Sequence, residues 1–243
     1  MPKIQEATLN EHRQRLLKQI LDATESILKQ EGRTGLTMSA VSERTGIARN
    51  SLYRYAQNAD QLCNMVLERR LPTWSQALER AIRGASSPQA LIEAWSKANL
   101  RQASEHGHAW MMDLFSATSN EQVRASFVYG EYTDDSLGQQ AASGDGQLSS
   151  EDAMVRFHHQ VNGPLISAWQ QLAPSHPEIG VELTRGLVQS GMRLIDALER
   201  QTGRPPQVSR REAEGIIEDV LSSVREVTAT LSKRESDGSE GRT

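Results

Sequence analysis

The segment from Gly35 to Leu62, GLTMSAVSERTGIARNSLYRYAQNADQL, constrains the fold more than any other part of the chain. Thr37 is a helix-start residue, because its side-chain oxygen accepts one of the orphan N–H groups of the first turn. Met38 and Val41 give the helix it opens an apolar side, and that helix runs to Thr45. Gly46 breaks it, at a point where the chain reverses and glycine adopts positive φ at little cost. A second short helix follows from Ala48 to about Tyr55 or Ala56. Asn58 then caps a further helix, with Gln61 at the third position completing a capping box. Two short helices about a glycine turn form a helix-turn-helix. Upstream, Leu16, Leu17, Ile20, Leu21, Ile27 and Leu28 recur at three- and four-residue steps, one face of a first helix that Gly32 and Gly35 end.

The second short helix is rich in long polar side chains and poor in core. Ile47 and Leu52 are its only plainly aliphatic bulky residues. Once Leu52 points inward with Val41 and Ile47, Arg49, Asn50, Ser51, Tyr53 and Arg54 lie on or near the open face. Arginine reads a guanine edge bidentately and asparagine does the same for adenine. Serine and tyrosine hydroxyls suit phosphate oxygens. Charge agrees: residues 1–70 carry eleven Lys/Arg against eight Asp/Glu, although the whole chain is −4. A basic head on an acidic body fits a chain whose head alone meets a polyanion.

The remaining residues read as helix throughout. Hydrophobic residues make up 37% of the chain, a lean core that favours helical packing over a large buried sheet. No period-two alternation of strand length occurs, so the expected fold is all-α. A fourth helix carries Leu62, Val66 and Leu67 until Pro72 interrupts it. Ser87 and Pro88 start another. HAWMMDLF is a short apolar segment, residues 120–138 a weaker helix, and AASGDGQLSSED a loop. A helix over about 151–172 is expected to kink or break at Gly163-Pro164. Two long helices follow, over about 178–201 and 210–232. The last eleven residues, without apolar content, read as a disordered tail.

Several function classes find no support. The single cysteine, Cys63, excludes an intrachain disulfide and a thiolate cluster, and sits in an apolar helical pattern as a small core residue. His106/His108 and His158/His159 lack the helical spacing that puts two metal ligands on one face, so no metal or other cofactor is expected. There is no phosphate-cradling glycine loop and no Gly-x-Ser-x-Gly elbow. The N-terminus lacks a secretory apolar region, and no run approaches the ~20 apolar residues of a membrane span. A cytoplasmic protein without catalytic residues is expected.

At ILDATESILKQEG and the segment quoted first, about residues 12–70, the sequence resembles the TetR family of bacterial transcriptional repressors. The resemblance implies a three-helix DNA-binding head and a larger C-terminal helical ligand-binding and dimerisation domain. On this chain the implied division is a flexible arm at 1–11, the head at 12–57, the body at 58–232 and a tail at 233–243. It implies Thr37 and Asn58 as helix caps near phosphates, Ser39 facing the groove, Arg49 and Asn50 as base readers, and Ser51, Tyr53 and Tyr55 as phosphate clamps. It further implies a homodimer through the last two long helices, bound to palindromic double-stranded DNA and released by a small-molecule inducer. For the ligand cavity, Trp95, Phe115, Phe127, His158 and Trp169 are the candidates; each taken singly also fits plain core. Three positions depart from the family pattern. Ala48 replaces a cap, Ala56 an aromatic and Ala59 a lysine, with Arg44 or Arg54 as compensating cations. Two rival readings remain: a helix-turn-helix regulator controlled by a protein partner without an inducer, and an all-α enzyme or carrier.

Overall fold

Apolar side chains at three- and four-residue steps roll nearly every described segment into helix. In a computed structural model of the chain, the structure describes residues 2–108, 111, 150–200 and 206–240. These contain eight α-helices and no strand: α1 (Pro2–Gly35), α2 (Met38–Thr45), α3 (Arg49–Leu52), α4 (Ala59–Ile82), α5 (Pro88–His106), α6 (Ser150–Leu172), α7 (Pro177–Arg200) and α8 (Pro206–Glu240). They fall into two compact units, Met1–Arg70 and Leu71–Thr243, and α4 runs through the boundary.

In the first unit, α1 buries Ile20, Ile27 and Leu28. Gly32, at φ 69° and ψ −171°, breaks the helical geometry near its end. The stop and start signals of α2 and α4 lie where their chemistry places them. Thr37 Oγ1 accepts the Ala40 N–H at 3.0 Å. Gly46 closes α2 in the left-handed region at φ 70°. Asn58 Oδ1 accepts the Gln61 N–H at 2.8 Å, and Gln61 Oε1 accepts the Gln57 N–H at 2.7 Å, so the capping box closes one residue earlier than usual. Cys63 is buried in this core, and burial pushes its thiol up to about 11, where it is inert.

A charge network joins α1 to α4. Glu25, 5% exposed, accepts from Arg69 at 2.7 Å and from Arg70 Nε at 3.0 Å, with Lys29 at 3.1 Å. Arg69 also reaches Asp22 at 2.7 Å. Burial alone raises the Glu25 pKa, but hydrogen bonds from Arg70 and Lys29 outweigh it and hold the carboxyl below its ordinary 4.5.

The second unit packs α7 on α8 and α5, with α6 against α5 and α7. Ser87 and Pro88 start α5 as expected, with Ser87 Oγ accepting the Ala90 N–H at 3.1 Å. Gly191 lies where α7 crosses its neighbours: a Cβ there would stand 2.7 Å from Leu100 and 2.9 Å from Val220. Gly180 plays the same part against Trp169, whose ring a Cβ would meet at 2.2 Å.

The structure departs from the sequence expectations at four places. Pro72 does not end α4, nor does Pro164 break α6; both lie inside continuous helices. A proline removes one N–H and crowds the carbonyl four residues earlier, a cost that packing of the turns on either side offsets. Near Pro164, the Trp95 indole donates to the Val161 carbonyl at 2.6 Å. At the chain ends, α1 starts at Pro2 where a loose arm is expected, and α8 runs to Glu240 through the expected tail. The first extension consists largely of fair helix formers, and in both elongation adds one hydrogen bond per residue once a nucleus exists. Ser175 also donates to Glu235 at 2.6 Å, tying the last turns of α8 down. The segment HAWMMDLF apart from His108 and Met111, the weak helix at 120–138 and most of the loop before α6 lie outside the described residues.

Replacing Glu25 with Gln is expected to destabilise the chain at pH 7 by about 2–3 kcal/mol in denaturant unfolding. That is below the ~3–5 kcal/mol of a fully buried pair, because Arg69 and Arg70 each keep about a quarter of their side chain in water. The carboxylate's contribution is complete above its unfolded-state pKa and disappears as pH falls through the lower folded-state value. The wild-type advantage over Glu25→Gln should therefore hold at neutral pH and shrink as pH falls from the unfolded-state value through the folded-state one.

Candidate nucleic-acid interface

The turn between α2 and α3 is held from both sides. Ser42 Oγ donates to the Ile47 carbonyl at 2.7 Å, and the Ile47 N–H donates to Thr45 Oγ1 at 3.2 Å. Thr45 Oγ1 in turn donates to the Val41 carbonyl at 2.7 Å. From α1, Gln19 donates to the Thr45 carbonyl at 3.0 Å. The exit angle of α3 is thus fixed by three side chains, Ser42, Thr45 and Gln19, that satisfy backbone groups around the reversal.

α3 itself is one turn long and lacks a side-chain cap at Ala48. It persists because Leu52 is 0% exposed, packed into a core that includes Val41, and because the backbone continues in helix-like turns: Tyr55 N–H to the Leu52 carbonyl at 2.8 Å, and Ala56 N–H to the same oxygen at 3.1 Å. Ala56, 2% exposed, joins the same core. Ile47 is half-buried, so its share of this core is smaller than expected.

With Leu52 inward, Arg49, Asn50, Tyr53 and Arg54 are exposed, while Ser51 and Tyr55 are half-buried. Ser39 is exposed on α2, as are the caps Thr37 and Asn58. The caps use their oxygens within the protein, which leaves the Thr37 hydroxyl proton and the Asn58 amide N–H groups outward. Arg44 does not join this face: it binds Ser26 and Gln30 at 2.9 Å each and Glu31 at 2.8 Å on α1. Arg33 is likewise taken up by Asp60. One pairing was missed in the sequence. Arg49 donates to the Tyr53 hydroxyl from Nε at 3.3 Å and from Nη2 at 3.1 Å. The i, i+4 spacing of an arginine and a tyrosine was the available signal.

The expected ligand residues scatter. Phe115 and Phe127 lie outside the described residues, as does the side chain of His158 on α6. Trp95 and Trp169 are both buried with their indoles bonded, Trp95 to Val161 and Trp169 to Thr184 Oγ1 at 3.1 Å. Trp169 lies on Gly180 and joins α6 to α7. The unexpected polar groups are Gln102, whose buried Oε1 has no hydrogen-bond partner among the described residues, and His108, whose backbone N–H donates to Asp196 Oδ1 at 2.8 Å and whose Nδ1 stands 3.8 Å from Asp196 Oδ2. The His108 ring packs on Trp74 with centroids 5.9 Å apart, and the Trp74 indole donates to Asn99 at 2.9 Å. Burial, with a contribution from Arg193, pushes His108 down to about 4, so its ring is neutral near pH 7.

A capped, glycine-turned helix pair with a polar outer face over a sealed leucine defines a helix-turn-helix DNA-binding head. Residues 20–65, from within α1 to within α4, match the family described as "Bacterial regulatory proteins, tetR family". No curated protein matches it. Two solved structures are similar over most of their length. A protein described as a transcriptional regulator from Pseudomonas aeruginosa PAO1 has 13% identity and a TM-score of 0.48, with 88% of this chain and 94% of that one covered. A TetR transcriptional regulator from Streptomyces coelicolor has 14% identity and a TM-score of 0.48, with 90% and 98% covered. No described helix is long and apolar enough to cross a membrane.

Truncating Leu52 to Ala should cost about 2–5 kcal/mol of stability. Asn50→Ala, on the same helix but exposed, should stay within about 0.5 kcal/mol. Paired thermal melts of the two variants check this contrast.

Proposed function

We propose that the chain is a homodimeric, sequence-specific repressor that leaves its operator when a small molecule binds the second unit. The observation that carries the DNA part is α3 itself: Arg49 and Asn50 point outward from a turn whose inner residue, Leu52, is sealed. Those are the side chains that read guanine and adenine edges in the major groove. Ser39, exposed on α2, is assigned to the groove side as well. Thr37, Ser51, Tyr53, Tyr55 and Asn58 supply hydroxyl or amide groups for flanking phosphates.

The dimer part is supported by an apolar stripe on α7. Ile179 is 45% exposed, Leu183 47% and Leu194 56%, at steps that keep them on one helix face. Gly186 and Ser190 lie between them, also exposed. Gly191 is not on this stripe, since its space is filled within the protomer. Burying the stripe against its two-fold copy removes apolar surface from water and links two heads for two half-sites. The inducer part is supported by Gln102 Oε1, a buried acceptor with no hydrogen-bond partner among the described residues, which a ligand carrying a donor would satisfy. Binding that favours a head spacing mismatched to the operator would lower DNA affinity. The proposed division of labour is a head over 12–57 and a ligand-binding and dimerisation body over 58–232.

Selection of bound sites from random duplex DNA tests this reading. Palindromic sites with half-sites one helical turn apart, or a multiple, are expected; no enrichment at low ionic strength would overturn it. Arg49→Ala should cost about 1–3 kcal/mol of operator affinity and relax preference at one base position in each half-site, read by competition binding. Leu183→Glu with Leu194→Glu should move the protein to monomer in sedimentation while α-helical content is kept.

A further inference from the structure

Tyr53 and Arg49 are read above as two separate contacts, one to phosphate and one to a base. Their geometry couples them. Both donations from Arg49 come from one edge of the guanidinium, the edge formed by Nε and Nη2, and both go to the same hydroxyl oxygen, at 3.3 and 3.1 Å. The guanidinium carbon also stands 5.9 Å from the Tyr53 ring centroid, within cation–π range. Tyr53 is 44% exposed and Arg49 is exposed, so the pair stands on the outer face of the recognition segment.

Guanidinium is a planar fork with five N–H donors in fixed directions. With the Nε/Nη2 edge anchored, the other edge, formed by Nη1 and Nη2, still offers two parallel donors. That is the number needed for a bidentate pair with guanine O6 and N7. On the tyrosine side the oxygen accepts from arginine while its own proton stays available to a phosphate oxygen. The local backbone sets the pairing: the helix-like turns after Leu52 keep residues 49 and 53 on one face, and neither side chain is used elsewhere in the described head.

The geometry points to Tyr53 as a positioning residue for base reading: its hydroxyl holds one edge of Arg49 so that the opposite edge is presented, already oriented, to a single base pair. An unanchored arginine loses several rotamers on binding, so anchoring reduces the ordering cost of the correct contact. The Tyr53 hydroxyl then contributes to discrimination at a base that it does not itself touch. This inference rests on the DNA-reading function proposed above.

The test compares wild type, Tyr53→Phe, Arg49→Ala and the double variant, as full-length protein, on the selected operator and on its single-base variants at every half-site position. Tyr53→Phe keeps the ring and its packing, so folding is preserved; circular dichroism verifies that. Arg49→Ala identifies the base position that Arg49 reads. At that position Tyr53→Phe should reduce discrimination by about 3- to 10-fold, the range that loss of a hydrogen bond of ordinary net strength produces at an exposed site. Elsewhere in the site it should leave base preference unchanged. The double variant should show no further loss of discrimination at that position beyond Arg49→Ala. Uniform weakening by Tyr53→Phe, with preference intact at every position, would overturn the positioning role and leave Tyr53 a phosphate contact only. Wild-type protein without sequence preference on any duplex would overturn the underlying DNA-reading function instead, and is told apart by appearing before any substitution is made.

Discussion

The burial of Leu52 is the constraint on which the recognition segment depends. A one-turn helix has almost no stability of its own, because nucleation fixes several dihedrals for very few hydrogen bonds. α3 has neither length nor a cap to offset that. Its shape is imposed by the leucine that anchors it and by the turn that delivers it, where Ser42, Thr45 and Gln19 satisfy backbone groups around Gly46. Every outward side chain takes its direction from that one inward side chain.

Elsewhere the molecule relies on a different device, the removal of side chains where helices must meet. Gly180 admits the Trp169 ring and Gly191 admits Leu100 and Val220, contacts that any Cβ would obstruct. Around them stand buried polar groups with defined partners, Trp95 on Val161 and Trp169 on Thr184. The two tryptophans thereby fix the approach of α6 to its neighbours. Close packing and satisfied indoles together specify one arrangement of the second unit's helices.

How much of this was legible beforehand differs by element. Thr37, Gly46, Asn58 and Gln61 announced their helix ends because capping is local chemistry, decided within three or four residues. The all-α class followed from periodicity, and the inward Leu52 from its being one of the few bulky aliphatic residues of a polar segment. The prolines misled, since Pro72 and Pro164 lie in helices whose tertiary packing overrides a local penalty that sequence shows in isolation. Gly191 shows a different limit: a small residue marks close approach, but only the fold tells that the approaching neighbours, Leu100 and Val220, are in the same protomer. The fate of Arg44 was equally hidden, because its partners Ser26, Gln30 and Glu31 lie thirteen to eighteen residues away on another helix.

That last kind of pairing has a consequence for how the head would behave in a field of negative charge. Arg33, Arg44, Arg69 and Arg70 each face a carboxylate of the same unit. Cations already neutralised within a protein displace few condensed ions from a polyelectrolyte, and ion displacement is the main source of sequence-blind attraction. On the DNA-binding reading, such a head lingers little on arbitrary duplex and slides along it only briefly. Its occupancy of a true site then varies gently with ionic strength, and what holds it there is the fit of a few groups on one short turn.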